Sequence, residues 1–344
     1  MIESSLMQSD PVMLPERPLG RVVRSVIGYS FLTALMMVSL VVFMPAALFH
    51  CAIRNGRRAA WATLVLSIAL AALYVVAVPV RSATELKMTW SYLAGIVIAI
   101  GLPAMLALPL IERAEKFGRV FVFLVIGSVI GLGVTEIASR AVLSFSPFGL
   151  HLAQSQQMSA QLLQVLGTRM APSELAILQK WASYNVMVAP AFMIITTSLV
   201  FILSLLMLGR LKAWHDFSAR RGDPEAAGAF LFRTFALPDW MLFVFILGGL
   251  TPLASGMLQK VAANTLAVVA FLYILQGLAV LRFVLISMGA GLGMWLLSLA
   301  LLVFLSFTGG IAPLLLGVTG LFDPFFDFRH FKNRKDDSDE SHSD

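Results

Sequence analysis

The stretch VFVFLVIGSVIGLGVTEIASRAVL, residues Val120–Leu143, decides the fold class. From Val120 to Thr135 it carries no charged side chain, and a helix drawn through it has no polar side. A water-soluble domain turns polar faces outward, so a segment that is apolar all round has lipid or protein about it. Comparable runs recur at Ala59–Val80, Trp90–Ile111, Tyr184–Leu208, Trp240–Met257 and Ala262–Met288. Hydrophobic residues make up 59% of the chain and charged residues only 13%. The expectation is an all-α polytopic membrane bundle of about eight to ten transmembrane or half-membrane helices.

Two further runs, Val26–His50 and Gly291–Leu321, each contain a break. Pro45 interrupts the first. Gly309-Gly310 followed by Pro313 interrupts the second. Proline removes a helical hydrogen bond and glycine weakens a helix, so each run can kink or double back. Charge decides between the readings. Straight crossings split the 25 Lys and Arg almost evenly between the two sides. Doubled-back runs gather 19 on one side, from Arg54, Arg57 and Arg58 through Arg210, Lys212, Arg220 and Arg221, against 6 on the other. Membrane insertion favours Lys and Arg in the cytoplasm. The sequence therefore predicts six long spans, two short helix pairs and both termini on the cytoplasmic side of a bacterial inner membrane. Trp61, Trp90, Trp181, Tyr184 and Trp240 fall at predicted span ends, where amphipathic rings settle.

Outside the membrane domain (26–332) the sequence predicts a cytoplasmic N-terminal tail (1–25) and a disordered acidic tail (333–344). Residues 144–183 read as external amphipathic helices. Met158, Leu162, Val165 and Leu166 form an apolar face there, and a second helix covers Ser173–Ala182. Residues 210–238 read as a basic cytoplasmic loop with an interfacial helix over Glu225–Phe235.

The chain has no phosphate-binding loop, no His-Glu-x-x-His and no nucleophile elbow. Its lone Cys51 and five scattered histidines build no metal cluster. No nucleic-acid motif accompanies the net charge of +6. No enzyme activity, cofactor, metal or nucleic-acid partner is expected. Ionisable and amide groups inside spans are the candidate sites, because lipid makes them costly. Glu136 and Arg140, four apart, form either an interfacial pair or the lining of an outward-facing cavity. Gln276 beside Gly277 is either a packing node or a ligand contact, and Arg282 can snorkel. Gly127-x-x-x-Gly131 and Gly289-x-x-x-Gly293 read as close-packing signals within the monomer.

The most distinctive segment is Gly-Leu-Phe-Asp-Pro-Phe-Phe-Asp-Phe-Arg at 320–329. Its Asp327 and Arg329 are candidates for fixing the segment's angle, the Asp327 carboxylate by charge pairing with Arg54, Arg57 or Arg58. This segment, Leu275-Gln-Gly-Leu-Ala-Val280, and Pro45 followed by Arg54-Asn55-Gly56 resemble the YybS-like family. These are predicted bacterial multi-pass membrane proteins of domain-of-unknown-function class 2232. The resemblance covers about residues 24–332. The family is distantly similar to the substrate-binding subunits of energy-coupling-factor transporters, which rely on separate ATPase subunits. This chain departs from those subunits in its additional C-terminal spans and in lacking a vitamin-binding motif. The two interrupted segments, which in transporters often line the site near the midplane, together with the resemblance, point to small-molecule binding or a transport-related role without an ATPase of its own; the in-span groups Gln276, Arg282, Glu136 and Arg140 are the substrate-binding candidates. Pro45, Arg54, Gly56, Gly277, Gly309, Gly310, Asp323, Asp327 and Arg329 are structural or coupling candidates. The alternative is a non-transporting inner-membrane scaffold that docks a cytosolic protein through 210–238.

Overall fold

The computed structural model describes residues 18–77, 82–167, 171–221, 228–289, 291, 293–294, 296–300, 311–326 and 328. Every regular element among them is helical. Helix α1 (Leu19–Ser39) begins inside the stretch expected as tail. Its 21 residues span about 31 Å, enough for a ~30 Å hydrocarbon core. The chain breaks at Leu40, whose ψ of 55° leaves the helical region, and not at Pro45. A 3-10 turn (Val41–Phe43) leads into α2 (Met44–Asn55), where Pro45 occupies the first turn and its missing N–H leaves no gap in the ladder.

Helix α2 runs back along α1. The Asn55 side-chain amide donates to Ser25 Oγ at 2.7 Å, and Tyr29 Oη lies 3.0 Å from His50 Nδ1. The first run therefore doubles back, but into unequal halves: one full-length helix and one of 12 residues, buried almost throughout. Gly56, at φ 88°, turns the chain into α3 (Arg57–Ala77).

Helix α4 (Ala83–Ile96) is capped by Ser82, whose Oγ accepts from Glu85 N. It continues through a π turn (Val97–Gly101) into α5 (Leu102–Glu112). Then come α6 (Phe117–Leu143), α7 (Pro147–Gly167), α8 (Pro172–Met187), α9 (Ala189–Arg210) and α10 (Lys212–Arg221). Helix α11 (Met241–Gly249) and α12 (Gly256–Ser287) form an antiparallel pair, and α13 (Ile311–Phe326) follows.

Among the described residues, six helices are long and apolar enough to cross a membrane: α1, α3, α4–α5, α6, α9 and α12. The expected number holds, but the membership changes. Trp240–Met257, read as a full span, holds only the nine residues of α11 and a 3-10 turn (Thr251–Leu253). At about 14 Å, α11 covers roughly half the hydrocarbon core. Gly248 lets the Leu266 backbone approach to 3.0 Å of where a Cβ would stand, and Pro252 then ends the regular ladder.

The arginine clusters do share one end of the bundle. Arg57 pairs with Glu112, and the Arg221 guanidinium donates to the Glu112 carbonyl. The described part of residues 210–238, expected as a basic loop with an interfacial helix, packs against the bundle. Trp214 and Ser218 bury one face of α10. Of Glu225–Phe235, the described part is turn and a 3-10 helix (Phe232–Thr234) in place of an interfacial α-helix. Its Phe230 and Phe235 are fully buried against Phe117, Phe121 and Trp214. Gly118 and Gly209 admit this irregular backbone: a Cβ at Gly118 would sit 1.6 Å from Ala236 O, and one at Gly209 2.7 Å from Phe230 O. Irregular backbone at such depth is tolerated because it is enclosed by protein.

The second broken run behaves differently from the first. Helix α13 packs antiparallel to α12, with Gly277 against the Leu316 backbone and Gly320 against that of Tyr273. Helix α12 itself runs toward the arginine-rich end. Its Asn264 meets the start of α9, and Gln276 meets Leu237, next to Ala236 at the start of α6. A return to that end would require α13 to run parallel to α12, so the direction expected for this half-run is reversed. Gly289 and Gly293 have nothing within 4 Å of an added Cβ and make no packing contact. Gly309, Gly310, Asp327, Arg329 and the 333–344 tail lie outside the described residues.

Candidate functional site

Pro103 sets the local geometry from which the site is built. A proline at that position removes the bond to the Ala99 carbonyl and pushes its ring toward it. The π turn just before it relieves the clash by widening the helix, with Leu102 N bonding to Val97 O. The widened turn is wedged against α6 through two glycines. A Cβ at Gly131 would sit 2.5 Å from Ile98 O and 2.6 Å from Ala99 Cα, and one at Gly127 3.0 Å from Pro103 Cβ. The Gly127-x-x-x-Gly131 signal is thus packing within the monomer, as expected.

Beside this contact lies a cavity of about 520 Å³. It is walled by the α1–α2 break (Val41, Val42), by α4 and its π turn, and by α6, α7 and α9. The Val42 carbonyl left bare by the break accepts from Ser204 Oγ at 3.1 Å. Tyr92, Phe145, Phe148 and Phe192 give the cavity aromatic walls. Its polar atoms are the hydroxyls of Ser91, Thr135, Thr196 and Thr197, with Tyr92, His151 and Gln154. Ser91 is held by Ser139 at 2.7 Å, and the threonines donate to carbonyls of their own helices. Each such hydroxyl retains acceptor capacity toward a ligand. Among the described residues the side chains of Tyr92, His151 and Gln154 make no hydrogen bond. No Asp, Glu, Lys or Arg lines the space. Toward the arginine-rich end the buried side chains of Leu48, Phe49, Leu108, Phe121, Phe201 and Trp214 form a packed core among the described residues.

The four substrate-binding candidates stand outside this lining. Glu136 and Arg140 do pair, at 2.5 Å, but the carboxylate has a second task. It accepts from Ser146 Oγ at 2.5 Å and from Phe148 N at 2.9 Å. It therefore neutralises the N-terminus of α7 and fixes the corner that sets Phe145, Pro147 and Phe148 on the cavity wall. Gln276 is fully buried and bonded within the protein: its Oε1 accepts from Leu237 N at 3.0 Å, and its Nε2 donates to Asp323 at 3.1 Å. This places Asp323 as the clasp between α13 and α12. Arg282 is half-buried on the same helix, away from the cavity. Arg54 is exposed, and Arg57 takes Glu112 as its partner.

Sequence reasoning missed the cavity residues because most are small hydroxyl or aromatic side chains that read as ordinary span composition. One signal was legible: Gly101-Leu102-Pro103 inside Trp90–Ile111 marks a disturbed helix. Asn264 was also missed. Its Oδ1 accepts from Ala191 N at 2.8 Å, and its Nδ2 donates to Met187 O and Lys260 O, stitching α8, α9 and α12 together.

Long apolar helices with short buried helices between them define a multi-pass, all-α membrane protein. The chain belongs to the family described as Predicted membrane protein (DUF2232), whose model matches residues 23–324. No curated protein and no solved structure matches it.

Proposed function

We propose that this protein binds a small, uncharged, largely apolar molecule in the cavity between the α1–α2 break and the π turn, in a transport-related, non-enzymatic role. The carrying observation is the cavity itself. Its volume of about 520 Å³ falls in the range of ligand pockets, and its few polar groups converge on an aromatic-walled space. The absence of lining charge speaks against a free carboxylate, phosphate or ammonium in the ligand, because an unpaired charge in such a site is costly. The core packed among the described residues toward the arginines supports binding and release at the opposite end. Nothing in this reading assigns the chain an ATPase of its own.

The test is a thermal-stability screen of purified protein against uncharged aromatic and amphipathic metabolites. A ligand at a hundred times its dissociation constant contributes about 2.7 kcal/mol of stability. Thr196→Trp fills the cavity from α9 and should remove that stabilisation while leaving the unliganded melt unchanged. A stabilising ligand that Thr196→Trp still binds refutes the proposed location.

A further inference from the structure

A second cavity, of about 800 Å³, lies on a different flank, between α6, α7, α8, α9 and the α11–α12 pair. Its chemistry is graded along its depth. Gln156, Ser183, Lys260, Asn264 and Thr265 cluster at the end away from the arginines. Val122, Val125, Val244, Val268, Val269 and Leu272 line the remainder. From Lys260 to Leu272 the wall descends about 18 Å along α12, close to one leaflet of a ~30 Å hydrocarbon core. The cleft opens sideways rather than upward, for Val129, Val261 and Met257 at its rim are 44%, 50% and 76% exposed. The Asn264 amide is already committed to three backbone groups. The Lys260 ammonium is exposed and makes no ion pair among the described residues.

We propose that this cleft holds one phospholipid, with its phosphate on Lys260 and an acyl chain in the valine-lined slot. A cation above an apolar slot of leaflet depth, open to the bilayer side, complements an anionic head on a hydrocarbon tail. Because Lys260 supplies a single positive charge and no carboxylate lines the cleft, a lipid of net negative charge is preferred over a zwitterionic one. The site is independent of the first cavity.

Native mass spectrometry of detergent-purified protein, delipidated and then titrated with phosphatidylglycerol or phosphatidylcholine, tests the assignment. Wild type should retain one phospholipid and favour phosphatidylglycerol by about threefold, the scale of one exposed ion pair. Lys260→Gln should bring the two lipids to parity. Val129→Trp, or Val261→Trp from the opposite wall should the first variant misfold, should lose the bound lipid with the helical melt preserved. A wild-type protein that keeps no lipid, a Lys260→Gln variant that keeps the preference, or a folded tryptophan variant that keeps the lipid overturns the proposal.

Discussion

Gly131→Ala adds one methyl group where the structure has no room for it. The new Cβ would stand 2.5 Å from Ile98 O and 2.6 Å from Ala99 Cα. Both are backbone atoms of the π turn, so no side-chain rotation relieves the clash, and α4 and α6 must part. Overpacking of this kind costs about 1–3 kcal/mol. Gly133, two residues on in the same helix, has nothing within 4 Å of its added Cβ. There the same substitution should stabilise by about 0.5–1 kcal/mol, because alanine gives up less backbone entropy in a helix. The two variants should therefore differ by about 1.5–4 kcal/mol in opposite directions about wild type, whereas helix propensity alone would move both the same way. Equilibrium unfolding of the purified protein in mixed micelles, followed by circular dichroism, measures it. Gly131→Ala should also weaken any ligand of the adjoining cavity, whose wall the π turn forms. A Gly131→Ala protein as stable as Gly133→Ala would show that the π turn is not wedged against α6.

Three further outcomes are expected. Gln276→Leu and Asp323→Leu should each destabilise by about 1–3 kcal/mol, and the double variant by less than their sum, because the side chains share one buried network; additive losses would contradict the clasp. Glu136→Gln keeps the shape of the side chain but removes the charge that Arg140 and the N-terminus of α7 rely on, so limited proteolysis between Leu143 and Pro147 should quicken, and an unchanged cleavage rate would count against the corner's role. The single native cysteine, Cys51, is buried, so an introduced Arg57→Cys or Arg220→Cys is the thiol that an impermeant maleimide reaches. Both should label from one side of sealed vesicles, and Lys87→Cys from the other.

The lipid-crossing character was legible because it rests on the composition of long windows, and the gathering of arginines at one end because insertion sorts charge by side. Pro45 marked the right run but the wrong residue. A proline is welcome in a first turn, so the break fell ahead of it, at Leu40. Trp240–Met257 misled because hydropathy does not report where a helix stops; Gly248-Gly249 and Pro252 did, and the close approach of Gly248 to Leu266 was invisible without the partner helix. The reversal of α13 escaped for a similar reason, since charge counting cannot sense which neighbour a glycine face will choose. Glu136 was rightly singled out as costly, yet its partners Ser146 and Phe148 lie beyond a chain corner whose shape no periodicity encodes.

The extra residue in the turn at 97–101 also acts as a phase setter. Removing any single residue there would return the turn to α-helical register, save for the bond that Pro103 cannot donate, and rotate everything from Ser82 to Ile96 by about 100° about the helix axis. Ser91, Tyr92 and Ile96 would then swing off the chamber, while Pro103 and the residues after it stayed in place. One codon's worth of backbone thus decides whether that wall presents hydroxyl and ring or turns them toward the lipid.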